Sequence, residues 1–270
     1  MKYYIDGCSF ACDWTREINS SLNPISGHLT RFSGLLSPNK YNHISWSHYF
    51  ENKINQASPG KSNISIFHDT FQAMEKKVAD RYLVMFTYSE RQEIINNDGG
   101  RNTAYGIGVY KKDLTPNEPF LSESRKYTEN YIKTLIAYSK LNDIDFKFIT
   151  VEPSYCFEGL DKSAWFNSEL ELEREEHDWF FHNLITIYGC NNYDLIRDFC
   201  HLGVEANKIL YKDIKFWLDT GRKPPINYSR QNTLFYLKDQ IDGYYRHHQS
   251  YDFLKHVIDD ILKKGFIYER

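Results

Sequence analysis

Four short segments of this 270-residue chain carry residue types that can do nucleophilic chemistry. G-C-S-F (7–10) puts a serine, Ser9, straight after the apolar run Tyr3-Tyr4-Ile5 and Asp6. G-K-S-N (60–63) stands ahead of a long helical pattern, so backbone N–H groups around Gly60, Ser62 and Asn63 can face an anion or a developing oxyanion. T-Y-S-E-R (87–91) follows a second apolar run and offers Tyr88, Glu90 and Arg91 as cleft-lining side chains. His247 and His248 precede the last helical pattern. A hydroxyl nucleophile, an imidazole base and oriented N–H donors are the parts that acyl transfer needs. Cys8, beside Ser9, reads instead as a small buried residue, since an unactivated thiol behaves as a hydrophobe.

These parts matter only if folding brings them together. Residues 2–6, 82–87 and 146–151 are apolar runs fit for buried strands. Helical spacing places Trp46, Tyr49, Phe50 and Ile54 on one face of 45–54, with Ser45 as N-cap, and Ile64, Phe67, Phe71, Met74 and Val78 on one face of 63–79. A third amphipathic pattern covers 127–140. The order β-α-β-α-β predicts a parallel sheet with helices on both faces. Ligands bind such sheets at the carboxyl ends of the strands. Ser9, the 60–63 segment and the 87–91 segment all fall at that edge.

Residues 20–42 are loop by their turn chemistry, and 96–120 read as a Gly/Asn/Pro-rich insertion. Segments 168–181 and 193–200 are charged and helical, and 251–264 is a helix striped by Phe253, Leu254, Val257, Ile258, Ile261 and Leu262. The expectation is one domain over 1–270, with insertions near 96–120 and 165–225.

Composition narrows the function classes. Hydrophobic residues make up 41% and charged residues 26%, which suits a folded core rather than a disordered chain. A net charge of -3 gives no overall basic footprint, so nucleic acid is not the default partner. Five cysteines at scattered spacings, with no C-x-x-C pair, fit reduced thiols better than a zinc ribbon or a disulfide framework. No run approaches 18 apolar residues and no signal-peptide h-region is visible, so a cytoplasmic protein without membrane contact is expected. G-K-S lacks the upstream glycine of a phosphate loop, because Asn55 stands there. His177 and His182 are five apart, a poor helical metal face, so no zinc site is expected there.

G-C-S-F after an N-terminal strand resembles the first block of the SGNH (GDSL-like) hydrolases, in a variant common in phage and bacterial proteins. I-N-Q-A-S-P-G-K-S-N (54–63) resembles its second block, and L-V-M-F-T-Y-S-E-R (83–91) its third. The resemblance covers roughly the first 150 residues. It implies an α/β fold: a three-layer α/β/α flavodoxin-like sandwich with a mostly parallel sheet. It implies hydrolysis or transfer of an ester-type acyl group without a metal or organic cofactor, with Ser9 as nucleophile and a C-terminal histidine as base, oriented by an Asp. The favoured reading is a hydrolase acting on a small-molecule or glycan ester. The oxyanion hole would use the N–H groups of Ser9 and Gly60. The third-block Gly-x-Asn is replaced by Thr87-Tyr88-Ser89, which makes Asn63 the substitute side-chain donor. For the last block, Asp-x-x-His, the reading turns to I-D-G-Y-Y-R-H-H-Q-S, where Asp242 precedes His247 and His248. Two rival expectations use the same cleft. One is a binding or structural protein, phage-encoded, with a decayed triad. The other is a group-transfer enzyme of nucleotide or DNA modification.

Overall fold

The computed structural model describes residues 1–17, 40–89, 91–95, 101–105, 118–157, 159–169, 184–191 and 201–225. Its centre is a four-stranded parallel sheet: β1 (Tyr3–Asp6), β4 (Lys53–Asn55), β5 (Arg81–Phe86) and β8 (Asp145–Thr150), in the order β4-β1-β5-β8. Among these four strands, that is the 2-1-3-4 arrangement of flavodoxin-like sheets, which reverses direction beside the first strand. β1 pairs Tyr3 with Lys53 on one side and with Arg81 on the other. The chain has an α/β fold.

Side chains along each strand alternate between two apolar layers. Tyr3, Ile5, Leu83, Met85 and Ile149 point into one, with Leu184, Leu210, Ile214 and Trp217. Tyr4, Tyr82, Val84, Phe86, Phe146 and Phe148 point into the other, with Ile66, Met74, Ile132 and Leu135. The first layer is covered by α3 (Leu184–Asn191) and α4 (Val204–Thr220), the second by α1 (Asn63–Glu75) and α2 (Glu118–Leu141). Leu83, Val84, Met85 and Phe86 are all fully buried, which is why β5 reads as a continuous apolar run rather than an alternating one.

Two antiparallel pairs lie outside this sheet. β2 (Trp14–Glu17) pairs with β3 (Lys40–His43), and β6 (Arg91–Ile95) with β7 (Arg101–Tyr105). Strands therefore replace loop at 40–42 and 101–105. The helix expected over 45–54 is the main correction. Trp46–Tyr49 is a single 3₁₀ turn, Asn52 takes a left-handed φ of 47°, and Lys53–Asn55 then enters the sheet as β4. The apolar spacing was real, since Trp46 and Phe50 are buried, but pairing with β1 outcompetes the helix. The expected segments 168–181, 193–200 and 251–264 lie almost wholly outside the described residues.

α1 starts where its sequence says it should. Ser62 is the N-cap, its hydroxyl accepting from the Ser65 N–H at 3.4 Å. α4 ends at Gly221, whose φ of 69° lets its N–H turn back to the Trp217 carbonyl at 2.8 Å.

Candidate functional site

Ser9 sits in the turn that leaves β1, closed by the Ala11 N–H donating to the Cys8 carbonyl at 2.9 Å. It is only 5% exposed. Its Oγ lies 2.8 Å from Nε2 of His201, 192 residues further along the chain. This is the hydrogen-bond length a nucleophile–base pair requires. The His201 ring packs on Phe10, with centroids 4.8 Å apart.

The base side is fixed from α4. Asn207, 1% exposed, donates from Nδ2 to the carbonyls of Leu202 (2.9 Å) and Gly203 (3.1 Å), and its Oδ1 accepts from the Trp46 N–H at 2.9 Å. One amide therefore ties the residues just after His201 to the segment ahead of β4. Asn207→Ala strands the buried Trp46 N–H and takes the side-chain donor from the Leu202 carbonyl, while the Gly203 carbonyl keeps the backbone N–H of residue 207 at 3.0 Å. We expect it to destabilise the fold by about 3 kcal/mol in urea unfolding, with Asn207→Asp intermediate, because an aspartate still accepts from Trp46.

The nucleophile side is fixed by loop-to-strand bonds at the same edge. The Gln56 and Ser58 N–H groups donate to the Ile5 and Gly7 carbonyls at 2.8 and 3.1 Å. Asn55 Nδ2 donates to the Ala11 carbonyl at 3.2 Å and to Ser47 Oγ at 2.8 Å. Gly60 takes a φ of 79°, and its N–H has no acceptor among the described residues. Ser62 is occupied in capping α1.

Asn63 does not stand free as an oxyanion donor. Its Nδ2 donates to the Thr87 carbonyl (3.0 Å) and to Thr128 Oγ1 (3.1 Å), while its Oδ1 accepts from the Thr87 N–H at 2.8 Å. Both amide hydrogens are committed, so Asn63 serves to tie the loop after β5 to α1 and α2. Beyond Thr87, Tyr88 meets Phe10 edge-on at 6.0 Å, and the Arg91 guanidinium stands 6.0 Å and 5.9 Å from the centroids of Phe10 and Tyr88. Arg91 is 7% exposed, so Tyr88 and Arg91 do gather around the residue next to Ser9. Ser89 donates from its N–H (3.0 Å) and its hydroxyl to Glu152, which also pairs with Arg125 Nε at 3.2 Å. Glu90 lies outside the described residues, as do Asp242, His247 and His248.

Sequence reasoning missed His201. Its signal was present: Asp198-Phe199-Cys200-His201 has Asp-x-x-His spacing and stands just ahead of a helix. Asp198 lies outside the described residues. Cys8 is fully buried, and burial pushes the Cys12 thiol up to about 12, so Cys12 is no thiolate nucleophile. No group of three or more His, Cys, Asp or Glu that could hold a metal occurs among the described residues. No helix among them is long and apolar enough to cross a membrane.

The fold and the Ser–His pair thus define an α/β protein with a buried hydroxyl and an imidazole joined at the carboxyl edge of a parallel sheet. No family model matches the chain, and no curated protein matches it.

Proposed function

We propose that the chain is a serine hydrolase of SGNH type, cleaving an ester or acyl group on a small molecule or glycan. The observation that carries this reading is the 2.8 Å contact between Ser9 Oγ and His201 Nε2 at the sheet edge where ligands bind. Ser9 Oγ attacks the substrate carbonyl while His201 Nε2 takes its proton. The negative charge on the tetrahedral oxygen is met by the N–H groups of Gly60 and Ser9. His201 returns the proton to the leaving oxygen, and water then reverses the sequence on the acyl-enzyme. We assign Asp198 as the carboxylate that orients His201, on its spacing. Phe10, Tyr88 and Arg91 form a wall beside the reacting atoms. Buried free thiols at Cys8 and Cys12 agree with a reducing, cytoplasmic setting.

A fluorophosphonate probe tests the reading directly. Ser9 Oγ forms a bond to phosphorus, fluoride leaves, and the hydroxyl proton passes to His201. Peptide mass spectrometry should find the adduct on Ser9, and Ser9→Ala should remain unmodified. An unmodified wild-type chain would sink the proposal and favour a binding protein built on the same fold.

A further inference from the structure

Lys61 follows the Gly60 turn directly, yet it is 8% exposed, an unusual state for a lysine. Its ammonium reaches Asp6 Oδ1 at 2.6 Å, Asp69 Oδ2 at 2.7 Å and the Gln56 carbonyl at 3.2 Å. Asp6 is the last residue of β1 and fully buried. Besides Lys61 it accepts from the Gly7 N–H at 2.7 Å, the Tyr4 hydroxyl at 3.1 Å and Thr70 Oγ1 at 3.5 Å. One ammonium thus joins three elements: the strand that ends at the Ser9 turn, the loop that carries Gly60, and α1 through Asp69.

A glycine at φ 79° does not hold its own conformation, because glycine has many others available. An oxyanion donor acts only when fixed near 2.7–3.1 Å from the developing charge. The Lys61 N–H donates to the Ser58 carbonyl at 3.3 Å and closes the turn that contains Gly60, whose own N–H has no acceptor among the described residues. The Lys61 ammonium anchors that turn to β1 and α1.

We infer that the buried Asp6–Lys61 ion pair is the positioning device for the Gly60 N–H, holding it in register with Ser9. The inference rests on the reading of Gly60 as an oxyanion donor. Burial pushes the Asp6 carboxyl up to about 6 against the pull of Lys61. Burial, reinforced by Asp6, holds the Tyr4 phenol well above its ordinary range, so Tyr4 remains a donor to the carboxylate.

The test compares the full-length wild type with the double variant Asp6→Asn/Lys61→Met. Removing both charges leaves no buried ion unpaired, so the variant folds where Lys61→Met alone would leave Asp6 uncompensated. Amide hydrogen exchange is followed at Ser58 and Lys61, whose N–H groups bond to the Gly7 and Ser58 carbonyls, with β5 amides as the internal standard. We expect exchange at the two loop amides to quicken by about tenfold or more while β5 is unchanged. Phosphonylation of Ser9 by the fluorophosphonate should slow by about tenfold and still reach full occupancy. A mere loss of folded molecules would reduce the final occupancy instead. Unchanged loop exchange overturns the inference, and so does reduced occupancy at an unchanged rate. If the wild type is not labelled, the hydrolase reading fails, and loop exchange alone decides whether the ion pair positions the turn.

Discussion

His201→Ala should slow acylation of Ser9 by about 10³–10⁴-fold, the contribution expected of a positioned general base. The hydroxyl of Ser9 is a poor nucleophile while it keeps its proton, and the imidazole at 2.8 Å is placed to remove it. Because the two side chains act as one unit, Ser9→Ala/His201→Ala should turn over an activated ester no more slowly than either single variant. Stability should change little, since His201 is only partly buried and lies ahead of the first turn of α4. The measurement is the phosphonylation rate, with urea unfolding as the control for folding. His247→Ala and His248→Ala should leave the rate within about twofold of wild type. A collapse in either of those, with His201→Ala still reactive, would reassign the base.

Gly7→Ala should be the most damaging single methyl on the nucleophile side. Gly7 has a φ of 155°, a region L side chains avoid, and it stands two residues ahead of Ser9 in the turn that leaves β1. An added Cβ would lie 2.8 Å from the Ala11 Cβ, 3.0 Å from the Met85 carbonyl oxygen and 3.2 Å from the Met85 Cβ. None of these atoms is the free end of a flexible chain. Either the 8–11 turn must lift off β5, or β5 itself must shift within a core where Leu83 and Met85 are fully buried. Overpacking and backbone strain together should cost about 2–4 kcal/mol, which lowers the melting temperature by roughly 5–15 °C. Molecules that do fold should acylate more slowly, because the turn that aims Ser9 has moved. Gly221→Ala is the matched control. Its φ of 69° carries the backbone strain, but nothing lies within 4 Å of the added Cβ, so about 1 kcal/mol is expected with acylation unchanged. Equal losses at the two glycines would show that backbone conformation, and not close approach to β5, governs position 7.

The local pattern was enough to locate β1, β5, β8 and α1 to within a few residues, and to align Ser9, Gly60 and Thr87 at one edge. Strand runs and helix caps are short-range features, and the edge rule follows from βα connectivity. Tertiary structure decided the rest. Residues 45–54 show helical spacing, yet β4 forms because β1 offers an unpaired edge, and no local window contains that partner. Asn63 looked like a donor for a substrate until Thr87 and Thr128 used both its hydrogens. The Asp198-to-His201 spacing could be read in the chain. That His201 meets Ser9 depends on contacts 192 residues apart and on Asn207 binding α4 to Trp46. The chain alone specifies which groups can react. Long-range packing, which balances many competing contacts at once, selects the two that touch.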